Sequence, residues 1–283
     1  MKDMYHSYFV KHIASSQISS LQILLCTFIL SCICDGHKEG QLAVLRSEAP
    51  RVLRSNLDHR QHRVRQWSCL CFGKLWHNNH EVKQQLMHIN SPPLNKLCSL
   101  ALSDTNPEVR ACATYALGTF FGCHNNEATS ENTMMTTTGH AQVYMQELQL
   151  SRALSPLVFD ASPLVRLEYG LALTQLVLVH KQDFLRYGFG ITMTPSHPHT
   201  RSPLPTSGHG HDMEVEGLCR FLGKVVRQLC RDSFHEVAGA AGALIKRMSR
   251  TYSYERVLNE ATGSGDRDMH GSIGSETQAA FDS

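Results

Sequence analysis

Asp104-Thr-Asn-Pro-Glu-Val-Arg110 and Asp160-Ala-Ser-Pro-Leu-Val-Arg166 are two copies of one pattern, Asp-x-x-Pro-x-Val-Arg. Two looser copies extend the series: Asp232-Ser-Phe-His-Glu-Val-Ala238, and Asp58-His-Arg-Gln-His-Arg-Val64-Arg65 with one extra residue. The agreement continues downstream. Phe72, Leu117, Leu173 and Ile245 lie eight residues after the four valines; Leu75, Phe120, Leu176 and Met248 lie eleven after. Offsets of 8 and 11 fall on one face of a 3.6-residue helix, so each valine opens an amphipathic helix. Upstream of the turns lie further helical runs, Leu94-Leu97-Leu100-Ala101 and Val215-Leu218-Phe221-Leu222-Val225-Leu229.

The unit is helix, Asp/Pro turn, helix. Pro107 and Pro163 suit the first helical position, where a missing N–H costs nothing, and the Asp is placed to cap the same helix end. One such pair cannot bury its apolar stripe, so copies must stack. Val64 to Val109 is 45 residues, within the roughly 40–47 of a HEAT or armadillo repeat. The expected fold is all-α, a solenoid of about five helix pairs. The next two spacings are 56 and 72 residues. Their excess falls in 122–140, rich in Asn and Thr, and 187–212, which holds four of the ten prolines. Both are expected to be insertion loops at the solenoid edge. The organisation read from the chain is a solenoid over 1–258 and a Gly/Ser-rich, disordered tail over 259–283.

Composition narrows the class. The 283 residues are 42% hydrophobic and 18% charged, with 27 Lys+Arg against 25 Asp+Glu. So even a balance argues against nucleic acid as a partner. Ten cysteines, mostly single within apolar runs, and the absence of any Asn-x-Ser/Thr site favour a reducing compartment. Ile18–Cys34 is the most apolar stretch. It is marginal for a bilayer span and lacks the short basic head of a signal peptide. It is read as a buried repeat helix, apolar nearly all round, with an exported or anchored protein as the competing view.

No phosphate-cradling glycine loop, nucleophile elbow or His-Glu-x-x-His motif is present, and no residues form a nucleophile–base–orienter set. A non-enzyme without cofactor is expected. Cys32-x-Cys34 and Cys69-x-Cys71 lack the two-residue spacing of zinc knuckles, and His197, His199, His209 and His211 share a polar loop. Three sets of residues remain. Asp58, Arg65, Asp104, Arg110, Asp160 and Arg166 recur with the repeat and form a candidate structural Asp/Arg ladder. Trp76-His77-Asn78-Asn79 closes a second helix, as a packed terminus or as an exposed partner-binding edge. Thr194 and Ser202 precede prolines in the second loop and are candidate phosphorylation sites. Six Arg between Arg46 and Arg65 form a basic run, a water-facing helix surface or a contact for an acidic partner.

Some of these residues are more particular than a generic repeat. Val64-Arg-Gln-Trp-Ser-Cys-Leu-Cys-Phe-Gly-Lys-Leu-Trp76, Pro107-Glu-Val-Arg-Ala-Cys-Ala-Thr-Tyr-Ala-Leu-Gly-Thr-Phe-Phe-Gly122 and Ser162-Pro-Leu-Val-Arg166 resemble the central HEAT/armadillo region of the Raptor family, regulatory scaffolds of the target-of-rapamycin (TOR) kinase. The resemblance runs over about residues 5–258, including His6-Ser-Tyr-Phe-Val10 and Thr27-Phe-Ile-Leu30, which makes Ile18–Cys34 the second helix of an upstream repeat. Family members carry a caspase-like domain before this region and a WD40 propeller after it; neither is in this sequence. The resemblance implies a scaffold in nutrient and growth signalling. It implies TOR kinase and small GTPases as partners, no direct membrane insertion, and a cytoplasmic location with recruitment to the lysosomal or vacuolar surface. A generic cargo-carrying HEAT-repeat adaptor is the alternative.

Overall fold

The computed structural model describes residues 4–15, 18–88, 92–122, 137–190 and 209–261, and among them every regular element is helical. In order these are α1 (Met4–Ala14), α2 (Ser20–Cys34), α3 (Lys38–Leu45), α4 (Ala49–Asn56), α5 (His62–Trp76), α6 (His80–Met87), α7 (Leu94–Ser103), α8 (Pro107–Phe120), α9 (Thr137–Ala153), α10 (Pro163–Val179), α11 (Lys181–Asp183), α12 (His209–Leu229) and α13 (His235–Ala261). A 3₁₀ turn spans Ser155–Phe159 and a π-helical turn spans Phe184–Gly188.

Local chemistry sets the helix starts. At α2, the Ser19 side chain accepts from the Gln22 amide, and the Gln22 side chain accepts from the Ser19 amide at 2.9 Å, a reciprocal cap. At α8, Asn106 accepts from the Glu108 and Val109 amides, with Pro107 just inside the helix. Asparagine, not the repeat aspartate, is therefore the cap. Asp104 instead accepts from the Asn106 amide at 2.9 Å, and Asp160 from that of Ser162 at 2.8 Å, each closing the turn before the helix.

The chain divides into two compact units. In the first (Met1–His140 with Pro156–Leu176), α2, α5, α8 and α10 lie side by side. Val64, Phe72 and Leu75 of α5, Val109 and Leu117 of α8, and Val165, Leu173 and Leu176 of α10 are wholly buried. In these three helices the repeat valines and their eight- and eleven-residue partners thus form the core; in the fourth copy Ile245 is only half-buried and Leu244 takes its place. Glycine permits the closest approaches: a side chain at Gly118 would collide with Ala172 at 2.8 Å, and one at Gly73 with the Tyr115 ring at 2.7 Å. In the second unit (Ala141–Ser155 with Val177–Ser283), α12 buries Leu218, Leu222, Val226 and Leu229, and α13 buries Val237, Leu244 and Met248. There Gly223 rests against the Gly188 carbonyl.

Several expectations change. The simple helix pair is supplemented in two repeats by a third short helix, α3 before α4 and α6 before α7, an armadillo-like elaboration. Stretch 38–45 signals this weakly, because eight residues hold too few periods to read. Of Ile18–Cys34, Ser20–Cys34 forms one helix, yet it is buried on one face only: Cys26, Leu30 and Cys34 point inward while Leu21, Leu25 and Phe28 are exposed. Helix α9 begins at Thr137, inside the 122–140 stretch, and α12 at His209, inside 187–212. Positions 123–136 and 191–208, with Thr194 and Ser202, lie outside the described residues, as do 262–283 of the expected tail, whereas α13 runs to Ala261. Pro156 falls in the 3₁₀ turn that follows α9.

Candidate functional site

The inter-repeat turns carry the first candidate. Arg65 Nε and Nη2 donate to Asp104 Oδ2 and Oδ1 at 2.7 and 2.8 Å, a bidentate pair between consecutive repeats. Arg110 does the same to Asp160, at 2.7 and 2.8 Å. Each arginine also reaches back with Nη1 to a carbonyl six residues earlier: His59 for Arg65 (2.8 Å), Asp104 for Arg110 (2.9 Å) and Asp160 for Arg166 (2.7 Å). The guanidinium therefore ties the turn of its own repeat to the aspartate of the next, using the planar fork of which lysine is incapable.

This geometry places five of the six ladder residues and displaces Asp58. Its copy of the pattern has one extra residue, so His59 occupies the position six before the arginine. The Asp58 side chain is turned outward to Arg54 and Lys96, 56% exposed, and belongs to a surface ion cluster. The pairs inside the ladder are far drier, with Asp104 4% and Asp160 9% exposed. Burial pushes the Asp104 carboxyl up, but the Arg65 hydrogen bonds, the Asn106 amide and the charges of Arg65 and Arg110 outweigh it. They hold the group below its ordinary value of 3.8. Asp160 is lowered on the same balance. The basic run ahead of Arg65 is partly neutralised, Arg51 pairing with Glu48 at 2.8 Å and Arg54 with Asp58 at 3.2 Å.

The Trp76–Asn79 segment is not an exposed edge. Trp76 is wholly buried and its Nε1 donates to the Ala116 carbonyl and Thr119 Oγ1, both at 3.0 Å. Its ring stacks on Phe72 and meets Phe120 edge-on. Asn79 is buried too: it caps α6 and donates to Gln41 Oε1 at 2.8 Å, while Gln41 Nε2 bonds the Lys74 and His77 carbonyls. Of the four, Asn78 alone is exposed, turning the chain at φ 53°. The indole ties α5 to α8, and the Gln41–Asn79 pair ties α3 to α6. Gln41 was not singled out in the sequence, since a lone Gln in an eight-residue helix carries no pattern. In the second unit, Glu147 is wholly buried against His180 Nε2 at 3.3 Å, and the His180 ring stacks on Tyr144 at 3.7 Å.

Among the described residues no group of three or more His, Cys, Asp or Glu stands close enough to hold a metal ion. The two Cys-x-Cys motifs meet each other, the free Cys71 and Cys34 thiols facing across the α2–α5 contact; the thiol–thiol hydrogen bond first, then burial, raises the Cys71 thiol well above the ordinary range. Among the described residues no helix is long and apolar enough to cross a membrane.

These features define an α-solenoid of the HEAT/armadillo class. The HEAT repeat model matches residues 94–124, a range that takes in α7, its turn and α8. Over most of its length the chain is similar to Raptor. It is 32% identical to regulatory-associated protein of TOR 1 from Arabidopsis thaliana over 221 residues, 75% of this chain and 16% of that protein. It is 29% identical to target of rapamycin complex 1 subunit mip1 from Schizosaccharomyces pombe, over 92% of this chain and 18% of that one. The crystal structure of Chaetomium thermophilum Raptor superposes with a TM-score of 0.67 at 22% identity, covering 99% of this chain and 25% of that one, and shares the fold. The chain spans less than a fifth of the length of these curated relatives.

Proposed function

We propose that this chain is a non-enzymatic scaffold segment of a TOR kinase complex, one that holds the kinase and regulatory partners at fixed spacing in nutrient and growth signalling. The observation that carries the reading is the similarity in sequence to Raptor proteins over three quarters or more of this chain. The structure supports it mechanically. Bidentate ladder pairs and the Trp76 junction make successive repeats stack in one register, which a spacing device requires. The Asp104–Arg65 and Asp160–Arg110 pairs serve this structural role rather than anion binding, because their guanidinium donors are already spent on protein oxygens.

The finer assignments follow from the same reading: a solenoid over residues 1–258, TOR kinase as direct contact, small GTPases as regulatory partners, and a cytoplasmic protein recruited to the lysosomal or vacuolar surface. The test is co-purification. Tagged protein, verified as folded by its helical circular dichroism, is expected to bring down TOR kinase from cells. Failure of the folded chain to do so removes the direct contact.

A further inference from the structure

The repeat alignment that brings the core valines into register also aligns the water-facing side of the same helices. Three and six residues after the valines stand Trp67 and Leu70 on α5, Cys112 and Tyr115 on α8, and Glu168 and Leu171 on α10. All six are at least partly open to solvent, and Leu171 is 44% exposed. They form one continuous face. The Phe28 ring of α2 meets Trp67 edge-on at 4.8 Å. Cys112 lies beside Gln66 of the neighbouring helix, and the Tyr115 ring lies over Gly73 of α5. Exposed helix positions ordinarily carry charged side chains; in this row Glu168 is the only one. A contiguous, partly aromatic surface of this kind marks an interaction site.

Charge says what covers it. Lys74, one turn after Leu70 on α5, is already held by Asp35 at 2.9 Å. Glu168 has no cation and no hydrogen-bond donor among the described residues, and burial raises its carboxyl. A purely apolar occupant would strand that carboxylate, whereas one bringing a Lys or Arg would gain a desolvated pair. The face crosses four adjacent helices, three steps of about 8–10 Å, which a helix of about 18 residues spans.

We propose that this face is a docking surface for a basic amphipathic helix of a partner protein, its apolar stripe on Trp67, Tyr115 and Leu171 and a Lys or Arg on Glu168. The surface rests on these side chains and needs no TOR component. Its failure would leave the scaffold reading intact, and the reverse also holds.

The test uses the full chain and two fluorescein-labelled helical peptides of about 18 residues. Both carry a Leu/Trp stripe; one is flanked by Lys, the other by Glu. Anisotropy titration is expected to show saturable binding of the Lys peptide and binding of the Glu peptide weaker by about tenfold or more. Leu171→Asp is expected to weaken the Lys peptide by about tenfold, and Glu168→Lys to reverse the preference between peptides. Both changes lie on the open face, and an unaltered circular dichroism spectrum and thermal midpoint check that the fold is kept. Equal affinity for the two peptides, indifference to Leu171→Asp, or no saturable binding overturns the proposal. So does a dimer that Leu171→Asp dissociates and the Lys peptide cannot, which would assign the face to a second copy.

Discussion

At the residue scale the ladder explains why arginine and aspartate recur with the repeat. Arg65 spends three N–H directions on two repeats, and Asp104 returns them while also closing its own turn. Asp104→Asn leaves a partly buried guanidinium short of its counter-charge and is expected to cost about 2–3 kcal/mol at pH 7 in urea unfolding. The pH dependence has a definite sign. Because the Asp104 carboxyl titrates below its ordinary value in the folded chain, its contribution is complete above that value. It is lost as pH falls from about 4 through the folded pKa. The stability gap between wild type and Asp104→Asn should therefore be full near neutrality and close progressively below about pH 4; a gap constant from pH 7 to 3 would remove the charge from the explanation. Asp58, solvated and outside the ladder, is expected to contribute little of this.

At the element scale the close contacts depend on small side chains at chosen places. Gly118 of α8 sits against Ala172 of α10, and the backbone there is ordinary helix, so the glycine serves proximity rather than conformational freedom. Gly118→Val would drive its methyl groups into Ala172 and push α10 off its seat, an overpacking cost of about 1–3 kcal/mol. Gly242, in the middle of α13, has open space around it. Gly242→Ala should thus be neutral or stabilising by up to about 1 kcal/mol, through helix propensity alone. Thermal melts of the two variants separate the cases, and a Gly118→Val protein as stable as wild type would contradict the tight α8–α10 contact. How much of this was legible beforehand differs by element. The α5, α8 and α10 helices were plain, because fourteen or more residues display several turns of period. The short α3 and α6 were not, and neither was the role of Trp76. An indole at a helix end reads equally as core or as interface until the neighbouring repeat is in place.

At the scale of the whole molecule the apolar amino-terminal run changes meaning. In sequence it competes between a leader and a core helix; in the structure Cys26, Leu30 and Cys34 are buried, Phe28 packs on Trp67, and Cys34 meets Cys71. A leader would be dispensable to the folded protein, whereas this helix covers α5. Removing residues 1–34 is expected to lower the thermal midpoint by several degrees and open α5 to limited proteolysis. An unchanged midpoint and digestion pattern would return the segment to the leader reading. The outward stripe of the same helix, Leu21 and Leu25, adjoins the face proposed to dock a partner.

The sequence by itself determined the architecture. Apolar side chains at offsets of 8 and 11 after each repeat valine can share one side only in a helix, and a lone helix pair must stack to bury it. The turn chemistry and the Raptor-like blocks were equally plain, being local strings of residues. Tertiary structure alone decided the pairings. Which aspartate answers Arg65, whether Trp76 faces water, and which row of side chains stays open all depend on residues about 40 positions away brought within hydrogen-bond reach. That choice is made by the stacking of whole helices, where a one-residue shift like the one ahead of Arg65 moves an aspartate out of the ladder and into solvent.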